Sequence, residues 1–568
     1  MSDVVNNNRI SKRAKPDWLK QLRLSAGVFG WVILVAVIVI GPIVALFAVA
    51  FSAQDNVWPH LLATVLPRAL SETVLLMIGV GVLTMSIGAS SAWLVTMYKF
   101  PGRKVFVWMS LIPLAMPTYL TAFSYTEIWD YSGLMQTTLR SVFGWQSARD
   151  YWFPEIRSLG GAIFVMSFVL YPYVYLTARA SFISQSVCAL EVARTLGRSH
   201  WGVFWNVGLP LARPALVAGA TLALMECLND IGAVEHFGVN TLTFSVYNTW
   251  LERGSLPGAA QIACVMLVFV VLLLWVERVS RRKQQFYQTT GRYRHISRIK
   301  LKGFYAVAAV IACAIPILLG FVLPASLLIK AVGLHWQVLL DESFWQQVWH
   351  SVLVASSAAL VAVVIAVFLT SSKRATQSSL LNGVVRLCSV GYAVPGTVLA
   401  IGILIFLSSV ESVIGGVSLN VFGIVPGLLV SGTAGAVVFA YVVRFMAISN
   451  GALDSGFEKL SPNLDAVARS LGRTKPQVLR EVHLPLLRSA IGSAVLLVFV
   501  DAMKELPATL LLRPFNFDTL ATHVYTLASL DQFEESAPAA LAIVLIGLVP
   551  VIWLSRVVSR GRPSRRRG

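Results

Sequence analysis

Four acidic residues stand in two otherwise apolar stretches, and in each stretch the two acids are four residues apart. Glu226 and Asp230 form the first pair, and Asp501 and Glu505 form the second. A spacing of four places both carboxylates on one face of a helix. A charge in hydrocarbon costs on the order of 3 kcal/mol or more, so we expect these faces to point into a helix bundle or a water-filled path. Carboxylate oxygens suit a hard cation, and the pattern therefore predicts a cation pathway.

A structural role for the same acids is the alternative, and the residue pattern leaves it open. Glu505 could pair with Lys504 or with Arg513, or the acids could cap a helix that breaks next to Pro507. Such pairing would also make charges tolerable inside a membrane.

Tyrosines and histidines are further candidate metal ligands. Tyr171, Tyr173 and Tyr175 could bind ferric iron as phenolates, but a spacing of two points them to different sides of a helix. We interpret them as aromatic residues at the membrane interface. The eight histidines form no pair at a spacing of four, so no metal ligand is assigned.

Composition predicts a membrane protein. The 568 residues are 56% hydrophobic and 13% charged, against about 25% charged in soluble domains, and the net charge is +19. Such apolar content excludes a disordered chain, and no nucleic-acid partner is expected. The five cysteines form no CxxC pair and are interpreted as small buried hydrophobic residues.

Charge-free runs of about 20 residues predict ten membrane spans. The two interrupted stretches with the acid pairs raise the number to twelve and predict an all-α integral membrane protein. The predicted spans are 24–54, 73–98, 105–126, 158–178, 214–234, 254–276, 303–329, 343–372, 387–410, 412–443, 489–512 and 536–555. With this division 38 of the 46 Lys and Arg residues fall on one side, which is predicted to be cytoplasmic together with both termini.

One segment occurs twice in the chain. The sequence EVARTLGRSHWGVFWNVGLPL (191–211) matches AVARSLGRTKPQVLREVHLPL (466–486), and the acid pairs repeat at the same offset. Six spans return the chain to its starting side, so the two halves are predicted to be parallel repeats. The predicted divisions are a cytoplasmic segment (1–26), a first half (27–279) with a loop at about 185–213, a basic cytoplasmic linker (280–302), a second half (303–556) with a loop at about 458–488, and a basic cytoplasmic tail (557–568).

Each copy of the repeated loop is predicted to hold a short helix, a glycine, a second short helix and the start of a span. Gly197 and Gly472 are expected at sharp turns, and Pro210 and Pro485 at the start of the next helix. Two copies with the same spacing indicate a docking surface for a partner that binds twice.

The loop resembles a known family motif. Permeases of binding-protein-dependent ABC importers carry E-A-A-x(3)-G, and about nine residues later I-x-L-P, in a cytoplasmic loop. Glu191, Gly197, Leu209 and Pro210 match this pattern, whereas the second copy has Ala466 at the acidic position, after Asp465. The resemblance extends over essentially the whole chain, and the stretch 504–522 is similar to ferric-iron uptake permeases of Gram-negative bacteria, in which two halves are fused.

The resemblance implies a permease subunit of an ATP-driven importer in the bacterial inner membrane that translocates ferric iron by alternating access. Two copies of a separate ATPase subunit, which use ATP and Mg²⁺, would dock on the cytoplasmic face. A periplasmic iron-binding protein would dock on the outer loops 127–157, 235–257 and 513–535. No Gly-Lys dipeptide occurs, so the chain lacks a phosphate-binding loop and is expected to be neither an enzyme nor the holder of a cofactor.

The resemblance also assigns residues that couple to the ATPases. In the first half they are Glu191, Ala193, Arg194, Gly197, Phe204, Leu209 and Pro210, and in the second half Asp465, Ala468, Arg469, Gly472, Leu479, Leu484 and Pro485. A permease for thiamine or a polyamine is an alternative. An ion-coupled secondary transporter, in which the acids carry protons, is a further one that the repeated loop disfavours.

Overall fold

The computed structural model describes residues 26–52, 57–184, 195, 197–282, 298–376, 379–388, 391–424, 427–461 and 463–560. The helices up to residue 282 are α1 (Ala26–Ala50), α2 (Trp58–His60), α3 (Leu66–Met97), α4 (Arg103–Met109), α5 (Thr118–Trp129), α6 (Leu134–Phe143), α7 (Leu159–Ser184), α8 (His200–Val203), α9 (Leu209–Asn229), α10 (Gly232–His236), α11 (Leu242–Leu251) and α12 (Leu256–Arg282). The later helices are α13 (Phe304–Ile317), α14 (Leu323–Leu334), α15 (Glu342–Thr376), α16 (Ser379–Cys388), α17 (Gly396–Phe422), α18 (Ala434–Glu458), α19 (Asn463–Ser470), α20 (Lys475–Val478), α21 (Leu484–Met503), α22 (Pro507–Leu512), α23 (Leu520–Ser529) and α24 (Phe533–Arg560).

Shorter turns join these helices. The π-helical turns are Leu61–Val65, Phe204–Gly208, Leu318–Val322 and Leu479–His483, and the 3₁₀ turns are Ile112–Ala115, Trp336–Leu340 and Gly391–Ala393. Strands β1 (Tyr98–Lys99) and β2 (Ile299–Lys300) pair in parallel and tie the end of α3 to the segment before α13.

Eleven helices are long and apolar enough to cross a membrane in the described part of the chain, and a bent pair brings the number to twelve. The prediction of an all-α membrane protein with about twelve spans is therefore confirmed. The bent pair, Arg103–Ala115 followed by Thr118–Phe143, turns by 92° at Pro117. Proline at this position restricts the preceding residue and ends the first segment.

The tenth span differs from its prediction. The charge-free run 412–443 predicted a helix there, but the span is Ala434–Glu458, and the run's first part is the end of Gly396–Phe422 and a connecting loop. Apolar character alone does not separate a span from an apolar loop. As a result Arg444, which the prediction placed in the cytoplasm, lies inside the span and is 4% exposed.

Packing brings the two halves together. Helix α1 packs along α17 of the second half, where Gly402 lies against the carbonyl of Pro42, and a Cβ on Gly402 would meet that oxygen at 2.5 Å. Within the halves, α3 packs along α7 and α15 packs along α18. One buried cluster holds residues from both halves, so the core is continuous across the repeat.

The repeat is visible in backbone detail. In the first half, the Thr73 hydroxyl accepts a hydrogen bond from the Leu242 amide at 3.0 Å, and in the second half the Ser351 hydroxyl accepts one from the Leu520 amide at 2.7 Å. A π-helical turn precedes the Leu-Pro-Leu sequence in both halves. The halves therefore share local structure as well as sequence.

Candidate functional site

A central cavity of about 90 Å³ is lined by both halves of the chain. All four acids predicted from the sequence line it: Glu226, Asp230, Asp501 and Glu505. The structure thus brings together two acid pairs that are far apart in the sequence, one from each half.

The helices that carry the acids end at the cavity. Helix α9 stops at Asn229, and Asp230 has an extended backbone with ψ of 120°. Helix α21 stops at Met503, shortly before Glu505. The prediction that each pair lies on one continuous helix face is therefore wrong, because a break separates the two acids of each pair.

The second acid of each pair caps the helix that follows the break. Asp230 accepts the amide hydrogen of Ala233 at 2.9 Å, and Glu505 accepts that of Ala508 at 3.2 Å. A carboxylate at this position satisfies amide donors that have no partner within the helix. Asp230 also accepts a hydrogen bond from the Thr118 hydroxyl, next to the proline bend of the third span.

Two cations neutralise the acids of the second half. Arg444 Nε lies 3.4 Å from Glu505 Oε2, and Lys504 Nζ lies 2.9 Å from Asp501 Oδ1. The sequence offered Lys504 or Arg513 as the partner of Glu505. The structure shows neither pair, because Lys504 pairs with Asp501 and Arg513 pairs with Asp518.

The first-half acids accept hydrogen bonds from neutral groups. Glu226 Oε1 accepts from the Tyr392 hydroxyl at 2.9 Å, which links the two halves. Asn229 Oδ1 strengthens that link by accepting from the Gly396 amide at 2.6 Å and from Arg444 Nη1 at 2.9 Å.

The cavity therefore has an uneven charge distribution. Both carboxylates of the second half have a cationic partner, whereas Glu226 and Asp230 are held by hydroxyl and amide donors. If all these groups are ionised, the lining carries two negative charges in excess. Electrostatically, such a lining favours a small cation over an anion.

The tyrosine interpretation is corrected. Tyr171 and Tyr175 are fully buried in the protein, and Tyr175 donates to the Val107 carbonyl at 2.9 Å. A membrane-interface location is therefore wrong for both. Tyr173, on another side of α7, lines the central cavity.

Sequence reasoning missed Asn229, Tyr392 and Arg444 as parts of the site. A second repeat could have found the region of Tyr392. The sequences Leu-Ala-Met-Pro117 and Tyr-Ala-Val-Pro395 occupy equivalent places in the two halves, and each proline stands before a helix that starts at the cavity. The sequence gives no comparable signal for Arg444. It stands directly after a charge-free run, where a basic residue normally marks the start of a cytoplasmic loop.

The first of the two predicted coupling loops is described only in part. Glu191, Ala193 and Arg194 lie outside the described residues, while Gly197 has a φ of +80° that favours glycine. Phe204 is buried, with its ring centroid 5.2 Å from that of Trp93. The described remainder includes Leu209 and Pro210 at the start of α9, and the exposed rings of Trp201 and Trp205.

The second predicted coupling loop is described except for position 462. Gly472 also has a φ of +80°, the buried Ala468 lies on α19, Leu479 begins the π-helical turn, and Leu484 and Pro485 begin α21. The exposed apolar residues of this segment are Leu464 and Val467 on α19 and Leu471 directly after it. Arg469 donates to the carbonyl of Asp465 at 3.2 Å.

Asp465 is the anchor of this loop. Its carboxylate lies 2.8 Å from Arg374 Nε, at the end of α15, and 2.7 Å from His483 Nε2. Burial alone would raise the pKa of Asp465, but the hydrogen bonds and charges of Arg374 and His483 outweigh it and hold that pKa below its ordinary value. The Asp465 carboxylate therefore has both of its partners, Arg374 and His483, within its own chain.

Among the described residues, no group of three or more His, Cys, Asp or Glu side chains is arranged to hold a metal ion. Of the five cysteines, Cys188 lies outside the described residues, and Cys227, Cys264, Cys313 and Cys388 are buried free thiols. The interpretation of these four as small buried hydrophobic residues is confirmed.

Comparison with known proteins identifies the class. Residues 81–285 match the family "Binding-protein-dependent transport system inner membrane component". The Fe(3+)-transport system permease protein FbpB 2 of Haemophilus influenzae is 25% identical over 497 residues, 86% of this chain and 89% of that protein. The ferric transport system permease protein FbpB of Actinobacillus pleuropneumoniae is 21% identical over 555 residues, 92% of this chain and 76% of that protein.

A shorter relative matches about half of the chain. The sulfate transport system permease protein CysT of Synechococcus elongatus is 29% identical over 266 residues, 46% of this chain and 91% of that protein. Together with the membrane-spanning fold, these matches identify the chain as an ABC-type permease component of a binding-protein-dependent importer.

Proposed function

We propose that this permease translocates ferric iron delivered by a periplasmic binding protein, by alternating access driven by two separate ATPase subunits. The observation that carries the proposal is the meeting of Glu226, Asp230, Asp501 and Glu505 in one cavity between the halves. Carboxylates that accept only a few hydrogen bonds still offer oxygen ligands to a hard cation. They do so without surrounding the ion on all sides, as a tight metal site would. A conduit must release its ion, so an open set of ligands suits transport better than a tight site.

The share of the chain that each relative matches supports ferric iron over an oxyanion as the cargo. The relatives named for Fe(3+) or ferric transport match 86% and 92% of this chain, whereas the sulfate relative matches 46%. With all lining groups ionised, the two excess negative charges of the cavity point the same way, because they would repel sulfate.

Cavity size supports ferric iron over the organic cations. The space of about 90 Å³ is well below the about 300–1,000 Å³ of sites for drug-sized ligands. Thiamine or a polyamine would require a much wider cavity, whereas a metal ion with part of its hydration shell would not.

Coupling is proposed at the two repeated loops. The exposed Trp201 and Trp205 in the first loop, and Leu464, Val467 and Leu471 in the second, offer apolar surface on the predicted cytoplasmic side. Exposed apolar residues next to a rigid turn suit a docking helix. The turn at Gly472 is followed by α20, a π-helical turn and α21. A displacement of α19 would therefore be transmitted along α21, which carries Asp501.

The division of the chain remains as proposed from the sequence. The halves 27–279 and 303–556 would each contribute six spans, with the termini, the linker 280–302 and both loops in the cytoplasm. With Arg444 assigned to a span, 37 of the 46 basic residues remain on the predicted cytoplasmic side, and this bias supports the orientation.

Reconstitution tests the proposal. The purified permease–ATPase complex in proteoliposomes, supplied with iron-loaded binding protein, is expected to accumulate radiolabelled iron in an ATP-dependent, vanadate-sensitive manner. Uptake of sulfate or thiamine instead of iron would overturn the cargo, and uptake driven by a proton gradient without ATP would overturn the mechanism.

Coupling has its own test. The double variant Gly197→Val and Gly472→Val is expected to lose copurification of the ATPase and to lose transport, because both glycines have a φ of +80° that valine does not tolerate. Full ATPase binding and transport in this variant would overturn the proposed docking loops.

A further inference from the structure

Two tyrosines from equivalent positions of the halves meet on the predicted outer face. Tyr247 lies on α11 and Tyr525 lies on α23, and their hydroxyl oxygens are 3.5 Å apart. The Tyr525 hydroxyl also donates a hydrogen bond to Glu235 Oε2, from α10 of the first half. Two phenols and a carboxylate thus meet at the boundary between the halves.

Glu235 and Tyr525 border a space that is separate from the central cavity, and the Tyr247 hydroxyl lies next to it through its contact with Tyr525. A second cavity of about 200 Å³ is lined by Glu235 and Tyr525, together with His236, Arg157 and Asp531. Arg157 Nη2 lies 3.5 Å from Asp531 Oδ1, so this cation already has an acidic partner.

A narrow contact divides the two cavities. Gly232 lines the outer cavity, while Tyr119 and Leu506 line the central one. A Cβ on Gly232 would lie 2.8 Å from Tyr119 Cβ and 3.0 Å from Leu506 Cδ2. The Tyr–Glu cluster therefore stands on the outer side of this contact.

The three oxygens match the chemistry of a small, highly charged cation. Carboxylate and phenolate oxygens are hard donors, and phenolate is an established ligand of ferric iron. Metal–oxygen bonds to such cations are about 2.0–2.2 Å long, so ligand oxygens separated by up to about 4 Å can share one ion. The Tyr247–Tyr525 separation of 3.5 Å falls within this limit.

We propose that Tyr247, Tyr525 and Glu235 form an outer acceptor site that binds Fe(III) released by the binding protein before it reaches the central acids. This inference rests on the proposed ferric cargo. Binding replaces the Tyr525–Glu235 hydrogen bond: both phenols lose their protons to water, and the two phenolates and the carboxylate bind the ion at the edge of the outer cavity. No electron is transferred, and the iron stays Fe(III).

A spectroscopic signal tests the site directly. Fe(III), supplied as its nitrilotriacetate chelate to the purified permease–ATPase complex, is expected to produce a visible phenolate-to-iron charge-transfer absorption. The variants Tyr247→Phe and Tyr525→Phe are each expected to weaken or abolish it, and Tyr131→Phe, at an exposed tyrosine outside the cluster, is expected to retain it. Wild-type complex without the absorption, or equal absorption in all variants, would overturn the site.

Glu235→Gln gives a second readout that keeps both phenols. It is expected to retain the absorption but to require about tenfold more iron to reach half its maximum, the effect of losing about 1.4 kcal/mol of binding free energy. An unchanged iron titration would contradict a role for Glu235.

Transport separates this inference from the proposed function. Wild-type proteoliposomes that import iron while the complex shows no phenolate absorption would overturn the outer site and leave the cargo standing. Wild-type proteoliposomes that import no iron would overturn the cargo itself.

Discussion

Asp230 and Glu505 perform the same structural task in the two halves of the permease, since each carboxylate accepts the amide hydrogen of the residue three positions further on. The distances are 2.9 Å from Ala233 and 3.2 Å from Ala508. Their remaining partners differ, because Asp230 binds the Thr118 hydroxyl and Glu505 pairs with Arg444. The functional and structural interpretations of these acids are therefore compatible: a cap fixes each carboxylate at the cavity where a cation could reach it.

Removing the charge of the first acid of each pair tests the pathway. The double variant Glu226→Gln and Asp501→Asn keeps the side-chain shapes and is expected to lower iron uptake by about 10- to 100-fold, since a charge-assisted contact contributes about 1.5–3 kcal/mol. ATPase copurification should persist. Initial uptake rates of radiolabelled iron provide the measurement, with the exposed Glu155→Gln as control. Wild-type uptake by the double variant would contradict a role for these acids in transport.

The Arg444–Glu505 pair should be a strong stability determinant. Both side chains are 5% exposed, so Arg444→Met leaves an unpaired buried carboxylate and is expected to cost about 3–5 kcal/mol. Arg444→Met with Glu505→Gln removes both charges and should recover part of that loss. Thermal unfolding of the detergent-purified complex measures both effects, and additive losses in the double variant would show that the two residues do not interact.

Gly396 is predicted to tolerate no side chain. A Cβ there would lie 2.7 Å from both Arg444 Nη1 and Glu505 Oε1, so Gly396→Ala is expected to displace the ion pair and cost about 1–3 kcal/mol. The matched control is Gly415→Ala on the same helix, where nothing lies within 4 Å of the added Cβ. Alanine at this second position should be neutral or stabilising by up to about 1 kcal/mol. Equal stability of the two variants in thermal unfolding would refute the close contact at Gly396.

Backbone conformation alone should govern substitutions at Gly472. Its φ is +80° and nothing lies within 4 Å of an added Cβ, so strain and not a clash decides the outcome. Gly472→Asn should retain ATPase binding, because asparagine tolerates left-handed conformations, whereas Gly472→Val should weaken it. Gly492→Val, in open space on the neighbouring helix, is the control. Binding that is equally strong with valine and asparagine would rule out a requirement for this turn.

Low pH should weaken the pairs of Asp465 with Arg374 and His483, which anchor the second predicted coupling loop. The lowered pKa of Asp465 means that its stabilising effect is complete above the ordinary aspartate pKa of about 3.9 and is lost as the pH falls through the lowered value. Asp465→Asn should therefore reduce stability at neutral pH, and the difference from wild type should disappear at strongly acidic pH. Unfolding midpoints measured across this range test the sign.

Asp454→Asn is the comparison for this pH experiment. Asp454 pairs with Lys373 through half-exposed side chains, so its loss is expected to cost less than about 1 kcal/mol. A larger loss here than for Asp465→Asn would contradict the anchoring role of Asp465.

Local sequence signals predicted the elements whose causes are local. Charge-free runs predicted most of the spans but misplaced the tenth, and the repeated loop sequence placed Gly197 and Gly472 at turns of equal φ. The acid pairs were recognised because carboxylates are rare in apolar stretches. These inferences required only residue type and spacing.

Long-range contacts account for what the sequence did not predict. The partner of Glu505 is Arg444, which lies on a different helix, α18, and no spacing rule relates the two. The breaks after Asn229 and Met503 are stabilised by hydrogen bonds and caps that form only when the helices meet. Tyr173 and Tyr175 differ in surroundings because α3 packs along one side of α7 and Tyr175 bonds to Val107 of α4, whereas Tyr173 faces the cavity, and a single helix pattern does not reveal this.

The joining of both halves in one polypeptide has an evolutionary consequence. In a permease assembled from two identical chains, every substitution appears twice, so the two sides of the cavity cannot diverge. Here Asn229 and Lys504 occupy corresponding positions of the repeat, yet one accepts hydrogen bonds from the opposite half and the other neutralises Asp501. A duplicated and fused gene can therefore use one copy of the position to bind the opposite half and the other copy to neutralise an acid. The two positions still correspond because both halves keep the same backbone structure.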